Sequence, residues 1–408
     1  MDVGAAVRVT GTWVEIPDGS PFPIDNLPYG IFSTTGHGPR VGVAIGAHIL
    51  DVAPVLDDPV WEARSLNPFM ASGPTTWRAA RDRLRDALSS SAARSSIARH
   101  LVPAADVTLH LPFDVADYAD FYSSLHHAEN CGRILRPEGE PLPPNWRHMP
   151  IGYHGRAGTV VVSGTAIDRP RGPRRPPDLA PTFGPSQMLD FEAEVGFVVG
   201  MPSSPGRPVA AEEFAQHVFG VVLLNDWSAR DVQAWEGQPL GPFLSKSFAT
   251  SVSAWVVPLD ALEAARLAAP CQDPPPLPYL VDATGSALDL DLEVSLNGWV
   301  ISRPRFASMY WTPAQQLAHL TANGASVRTG DLLGSGTVSG PTRDEWGSLL
   351  ELTWRGLHPL PLGDGTSRGF LEDGDQVTMT ATAMGTGGSP IGLGAVEGRV
   401  RPGWAAAP

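Results

Sequence analysis

The segment Asp190-Phe191-Glu192-Ala193-Glu194-Val195-Gly196-Phe197 sets three carboxylates two residues apart. On an extended strand side chains alternate, so Asp190, Glu192 and Glu194 share one face while Phe191, Ala193, Val195 and Phe197 pack on the other. Acids so placed repel one another unless something positive lies between them; a solvated polar strand face is the other reading of this alternation. A further acid, Asp226, closes the apolar run 219–224, where a buried strand would open into a loop. Arg230 and Gln233 follow within about a helical turn, and Lys246 comes after the constrained stretch Pro239-Leu-Gly-Pro-Phe-Leu-Ser. Acids and bases gathered at strand ends suit a divalent cation and an anionic substrate, and hard oxygen ligands in this number favour Ca²⁺ or Mg²⁺ over zinc. Surface ion pairs, which add little to stability, are the alternative. The stretch from Asp120 to Asn130 contributes an acid, Tyr122 and the adjacent His126 and His127. Neighbouring histidines on a helix diverge, which argues against one shared metal ion. Either is better suited to general-base work, since imidazole titrates near working pH; a structural or surface histidine is the plain alternative.

The elements that must position these residues are mostly strands. Residues 159–164, 190–200, 219–226, 253–257, 288–298, 348–354 and 376–384 all read as strands, and Asn297-Gly298 signals a two-residue hairpin. A helix is expected over 312–324, capped by Thr312, with Pro313 at its first position and Gly324 ending it. Ahead of about residue 113 lies a smaller unit with strand-like runs at 30–33, 40–45 and 48–52. It also holds one helix in which Trp77, Ala80, Leu84 and Leu88 form an apolar stripe opposite Arg and Asp. This mix suggests a small β-barrel with a helical appendage. Pro-rich stretches at 137–150, 168–183 and 269–279 are too long for hairpin turns, and long ordered loops of that kind usually shape a site.

Composition narrows the function classes. The 408 residues suffice for two domains, and 42% hydrophobic with 18% charged residues is ordinary for a globular protein. A net charge of −14 argues against nucleic-acid or anionic-membrane partners, which require a basic face. An anionic substrate must then be captured by local arginines and lysines. Two cysteines, Cys131 and Cys271, exclude a disulfide framework. The opening MDVGAAVRVT lacks the pattern of a signal peptide, and no stretch approaches the ~20 apolar residues of a membrane span, so a cytoplasmic location is expected.

Motifs spread along the chain carry a resemblance. FPIDNLPYGIFST and RVGVAIG come first, then DFYSS, NW and GYHGRA, then LLNDWSARD, GPFLSKSFAT, DLLGSGTVSG, SLLEL and FLEDGD. In this order they strongly resemble the fumarylacetoacetase family over nearly the whole length. The resemblance implies a mainly β, α+β chain: a small SH3-like β-barrel with its helical appendage over 1–112, then a β-rich catalytic domain over 113–408, assembled as a homodimer. It places metal ligands on Asp120, Glu192, Glu194 and Asp226, with Lys246 and Thr250 near a second, minor cation position that also involves Asp226. It assigns the general base to His127 and its orienting partner to Glu351. Arg230, Gln233 and Lys246 would surround a developing oxyanion, and Tyr122, Arg136, Tyr153, Gln233 and Thr337 would contact substrate. The implied reaction is cation-dependent hydrolysis of a carbon–carbon bond in a β-diketo acid, giving fumarate and acetoacetate at the end of tyrosine breakdown.

Two positions depart from the family's pattern. Gly237 stands where a substrate-contacting tyrosine is usual after Trp-Glu, and His126 replaces the usual glutamine beside the base. Gly237 keeps a related reading open, an acylpyruvate hydrolase or a keto-acid decarboxylase or dehydratase of the same superfamily, although these usually lack the long leading domain. A non-catalytic, metal-stabilised binding protein would instead be expected to have lost the catalytic set.

Overall fold

The computed structural model describes residues 11–176 and 179–404; the opening decapeptide read for a signal sequence lies outside the described residues. In chain order the elements that matter here begin with β1 (Tyr29–Thr34), β2 (His37–Ile45), β3 (His48–Asp51), α1 (Pro74–Ser89), β4 (Leu101–Pro103) and β5 (Tyr118–Phe121). Next come α2 (Leu125–Leu135), β6 (Gly152–Gly155), β7 (Ala193–Val199), β8 (Val218–Asp226), α3 (Arg230–Glu236), β9 (Thr250–Val252) and β10 (Trp255–Pro258). The last group is β11 (Asp291–Leu296), β12 (Trp299–Ser302), α4 (Pro313–Thr321), β13 (Leu332–Gly334), α5 (Leu349–Leu352), β14 (Gln376–Met384) and β15 (Val396–Arg401).

A 13-stranded sheet has the main path β4-β3-β2-β1-β10-β8-β7-β13-β5-β6, with β9 pairing β8 off that path. The leading strands thus continue into the later ones through the β1–β10 pairing. All residues of β7 and β8 are buried, because helices and a second sheet cover both faces, and this is why their sequences run as near-continuous apolar stretches. Ala193, Val195, Phe197 and Val199 pack with Leu292, Val294, Val377 and Met379 of the second sheet. Val198, Val222 and Leu224 face the opposite way, in the cluster that includes Trp77, Leu84 and Leu88 of α1.

Several expectations hold in detail. The α1 stripe is buried, and α4 starts at Thr312, whose hydroxyl accepts from the Gln315 amide while the Gln315 side chain returns the bond. The hairpin between β11 and β12 places both Asn297 (φ 52°) and Gly298 (φ 83°) in the left-handed region that a type I′ turn requires.

Other expectations need correction. The arginines and aspartates expected opposite the α1 stripe do not all face solvent: Arg81 is buried and donates to the Asn26 carbonyl at 2.6 Å and to the Asp25 carbonyl, so it ties the helix to the preceding loop. The strand expected over 190–200 is interrupted: Leu189–Asp190 pairs with Ser228–Ala229, and β7 begins only at Ala193. The strand expected over 348–354 is instead the short helix α5. Ser348 caps it, and the Asp190 carboxylate accepts the Leu349 and Leu350 amides at 2.8 and 3.0 Å, which supplies a buried anion for the helix N-terminus. The 168–183 stretch contains strand pairing of its own, Arg171–Arg174 with Thr182–Pro185.

Candidate active site

Sheet register brings the acids together. Asp226, the last residue of β8, lies opposite Thr250 of β9. Asp120 of β5 lies opposite Gly334 of β13 on one side and Tyr153 of β6 on the other. Glu194 sits on β7 between β8 and β13, and Glu192 just precedes that strand. The result is a buried cluster of Asp120, Glu192, Glu194 and Asp226, each offering an oxygen within 4.8 Å of the others. The solvated strand face considered from sequence is therefore excluded: none of the four is more than 4% exposed.

Two cationic side chains balance part of this charge. Lys246 Nζ bridges Glu192 and Asp226, the latter at 2.7 Å. Arg230 pairs with Glu192 at 2.7 Å and with Asp190 at 2.8 Å. Thr250 Oγ1 and Tyr153 OH each donate to Asp226 at 3.1 Å, and the Gly336 amide donates to Glu194 at 3.2 Å. Negative charge still predominates. Burial, then the charge of Asp226, pushes the Asp120 carboxyl well above the usual range; burial, then Asp120, does the same to Glu194. Burial also raises Asp226, against the pull of Lys246. Glu192 goes the other way: burial disfavours its charge, but Lys246 and Arg230 outweigh that and hold it below the usual range. Lys246 and Arg230 are both held more firmly charged, since burial is outweighed by Asp226 and Glu192 respectively.

This donor set fits a hard divalent cation. Asp120 Oδ1 and Glu194 Oε1 are buried without a hydrogen-bond partner among the described residues, a costly arrangement unless a cation completes it. Gly334 leaves the space open, because a Cβ there would come within 2.8 Å of Asp120 Oδ1 and 3.1 Å of Glu194 Oε2.

The second half of the site comes from α2 and α5. Ser124 caps α2 by accepting the His127 amide at 3.2 Å, which fixes the turn that carries the imidazole. His127 Nδ1 meets Glu351 Oε2 at 2.7 Å, and the carboxylate also accepts from Asn130 (3.0 Å), Ser339 (3.0 Å) and Ser348 (2.8 Å). Both partners are buried, His127 at 3% and Glu351 at 0% exposure. Burial opposes charge on the imidazole, yet Cys131 and Glu351 together raise its pKa well above the ordinary value; Glu351 is held low by His127 and its other donors despite its burial. The Tyr122 ring stands edge-on to His127 at 5.3 Å, and Cys131 Sγ lies 3.5 Å from Nε2.

Both halves open into one cleft of about 410 Å³ lined by Asp120, Tyr122, His127, Glu192, Tyr153, Arg230, Gln233, Lys246 and Thr337, among others. That is the size of a small-molecule site. Gln233 accepts from Arg230 at 3.0 Å, and Thr337 Oγ1 is buried with no partner among the described residues. Two positions fall elsewhere. Arg136 is exposed at the end of α2, donates to the Pro141 carbonyl at 2.9 Å and does not line the cleft. Gly237 ends α3, also outside the lining.

Some contributors escaped the sequence reading. Asp190 was grouped with the acidic face, but its carboxylate holds Arg230 and the amides of α5, linking the cationic side of the site to the helix that presents Glu351. Cys131 drew notice only as a non-disulfide cysteine. For α5 a signal existed: Ser348-Leu-Leu-Glu351 is the Ser-x-x-Glu helix-start pattern.

The fumarylacetoacetate (FAA) hydrolase C-terminal family matches residues 117–401, and the fumarylacetoacetase N-terminal family matches 25–112. The chain belongs to the fumarylacetoacetate hydrolase family. Among its relatives, the fumarylacetoacetases of Bos taurus and Arabidopsis thaliana are 46% and 44% identical over 414 and 415 residues, covering 96% of this chain and 99% and 98% of theirs. Solved structures share the fold at lower identity. The fumarylacetoacetate hydrolase of Exiguobacterium antarcticum aligns with a TM-score of 0.56 at 18% identity, covering 92% of this chain and 99% of its own. The maleylpyruvate hydrolase of Sphingobium sp. SYK-6 aligns at 0.52 and 16% identity, covering 92% and 100%. Membership fits the site: a family of hydrolases, and a buried acidic cluster able to hold a metal ion.

Proposed function

We propose that the chain is a hydrolase that cleaves the carbon–carbon bond of 4-fumarylacetoacetate to give fumarate and acetoacetate, the closing step of tyrosine and phenylalanine breakdown. The observation that carries this reading is one cleft lined both by Asp120 and Glu192 of the carboxylate cluster and by His127, the partner of Glu351. Asp120, Glu192, Glu194 and Asp226 would hold a Ca²⁺ or Mg²⁺ ion, with Lys246 and Thr250 beside Asp226 at a second, minor position. When bound, the ion supplies Lewis-acid polarisation of the diketone oxygens and stabilises enolate charge.

The neutral form of His127, which a cation bound at the nearby carboxylates would favour by repelling the imidazolium, takes a proton from water on the cleft side, while Glu351 fixes Nδ1 as the protonated nitrogen and stabilises the imidazolium that forms. The hydroxide attacks the carbonyl next to the alkene. Arg230, Gln233 and Lys246 stabilise the resulting alkoxide through donors already placed for it. When the alkoxide re-forms the carbonyl, the bond to the neighbouring carbon breaks, fumarate is released, and the acetoacetate carbanion takes the proton that His127 removed from water. Tyr122, Tyr153, Gln233 and Thr337 line the cleft as substrate contacts; Arg136 would have to swing from Pro141 to join them.

We further read residues 1–112 as the leading domain and 113–408 as the catalytic one, and the assembly as a cytoplasmic homodimer without nucleic-acid partners. The acidic net charge supports the last point. No helix among the described residues is long and apolar enough to cross a membrane. Gly237 and the outward Arg136 favour one second reading, hydrolysis of a shorter acylpyruvate. Product analysis separates the two. Fumarate and acetoacetate formed from fumarylacetoacetate support the first; much faster turnover of acylpyruvates replaces it with the second.

A further inference from the structure

Helix α3 carries Arg230 and Gln233 near its start and Glu236 at its end. Glu236 does not line the cleft. Its carboxylate turns instead toward the segment before Lys246. Oε1 accepts the Phe243 amide at 2.7 Å, the Ser245 amide at 2.8 Å and the Ser245 hydroxyl at 2.6 Å, while Oε2 accepts the Leu244 amide at 3.0 Å. Three successive amides and a hydroxyl thus converge on one anion, as backbone nests do. The other side of the same segment is fixed too: the Ala229 amide donates to the Ser245 carbonyl at 2.9 Å. Lys246 follows immediately, with its ammonium between Glu192 and Asp226. The outer part of this segment is not held by burial, since Leu240 is 96% and Phe243 71% exposed, whereas Ser245 is buried.

We propose that Glu236 is the positioning residue for Lys246: by gathering the amides of 243–245 it sets where the ammonium stands over the carboxylate cluster, so α3 places all three oxyanion donors. This rests on the reading of Lys246 as an oxyanion donor. Glu192 and Asp226 hold the tip of the lysine, but where that tip can stand also depends on the backbone that presents it, and a misplacement of about 1 Å near reacting atoms costs ~10²-fold in rate.

The test compares Glu236→Ala, Glu236→Gln, Lys246→Met and the Glu236→Ala/Lys246→Met double variant. Turnover of fumarylacetoacetate is followed by absorbance, and Ca²⁺ binding to chelator-stripped protein by calorimetry. Glu236→Ala should lower kcat by ~10²-fold, Glu236→Gln by less because its carbonyl still accepts. The double variant should fall no lower than Lys246→Met alone, since coupled residues are non-additive. Ca²⁺ should bind Glu236→Ala more tightly than wild type, because the ammonium no longer neutralises Glu192 and Asp226. A lowered melting temperature with unchanged kcat and Ca²⁺ affinity would reduce Glu236 to a fold residue and overturn the proposal, as would losses that multiply in the double variant. If wild type fails to turn over fumarylacetoacetate, the reaction assigned above falls; an unchanged Ca²⁺ affinity in Glu236→Ala would separately overturn the positioning role.

Discussion

The two halves of the cleft are built on opposite principles. Around Glu351 every need is met by protein: His127, Asn130, Ser339 and Ser348 surround the carboxylate, which therefore stays ionised although buried. Around Asp120 and Glu194 charge is left uncompensated and oxygen atoms have no hydrogen-bond partner among the described residues. The first half is rigid and complete on folding. On the proposed reading the second would be complete only with a cation bound, and the site would then couple folding free energy to metal binding.

The sharpest way to separate the halves is to damage each alone. His127→Ala should cut kcat by ~10²–10⁴-fold, the usual worth of a general base, and leave Ca²⁺ affinity within a few-fold of wild type; calorimetry beside steady-state kinetics checks both. A parallel loss of Ca²⁺ binding would merge the halves. Arg230→Ala should cost ~10²–10³-fold in kcat as one oxyanion donor is lost. It should also weaken the α5 side, since Asp190 then holds a buried charge without its partner.

Asp190→Asn tests the link between the halves. The amide still fits, but one of its atoms must present hydrogens to the Arg230 guanidinium or to the α5 amides. Activity should drop ~10–100-fold, as for removal of other orienting groups around a site, with little change in KM, measurable in the same assay.

The smallest effect concerns stability. In stripped protein the Asp120 and Glu194 carboxyls have folded pKa values above their ordinary 3.8 and 4.5. The folded state then binds more protons than the unfolded one above that range, so stability falls as pH rises until these groups ionise in the folded chain. With saturating Ca²⁺ the carboxylates stay ionised and that decline should vanish. Melting curves at several pH values with and without chelator should therefore diverge toward higher pH; curves that run parallel would mean the cluster does not titrate as described.

Much of this contrast was legible in the sequence, and the exceptions share a cause. The acids at 192, 194 and 226 could be placed because strand alternation and the end of an apolar run are local signals. So could the start of α4 at Thr312, though not its end at Thr321 ahead of Gly324, and the turn at Asn297-Gly298. Helix α5 could not be read from periodicity, since four apolar-rich residues fit either strand or helix. The deciding partner, Asp190, lies 159 residues before Leu349. Asp190 itself looked like a third member of the acidic face because alternation assumes an unbroken strand, and the strand is interrupted between Asp190 and Ala193. The outward placement of Arg136 depends on where α2 ends and the Pro-rich segment turns, which no local pattern encodes. Gly237 is similar: a Cβ there would sit 2.8 Å from the Gln233 carbonyl, so a tyrosine requires the end of α3 to shift.

One measurement bears most directly on a site half complete and half waiting for its ion: the loss of fumarylacetoacetate absorbance as Ca²⁺ is titrated into chelator-stripped protein. Turnover should rise from near background to its full rate at one tightly bound ion per chain, with fumarate and acetoacetate as products. Full-rate turnover before any ion is added would contradict the account.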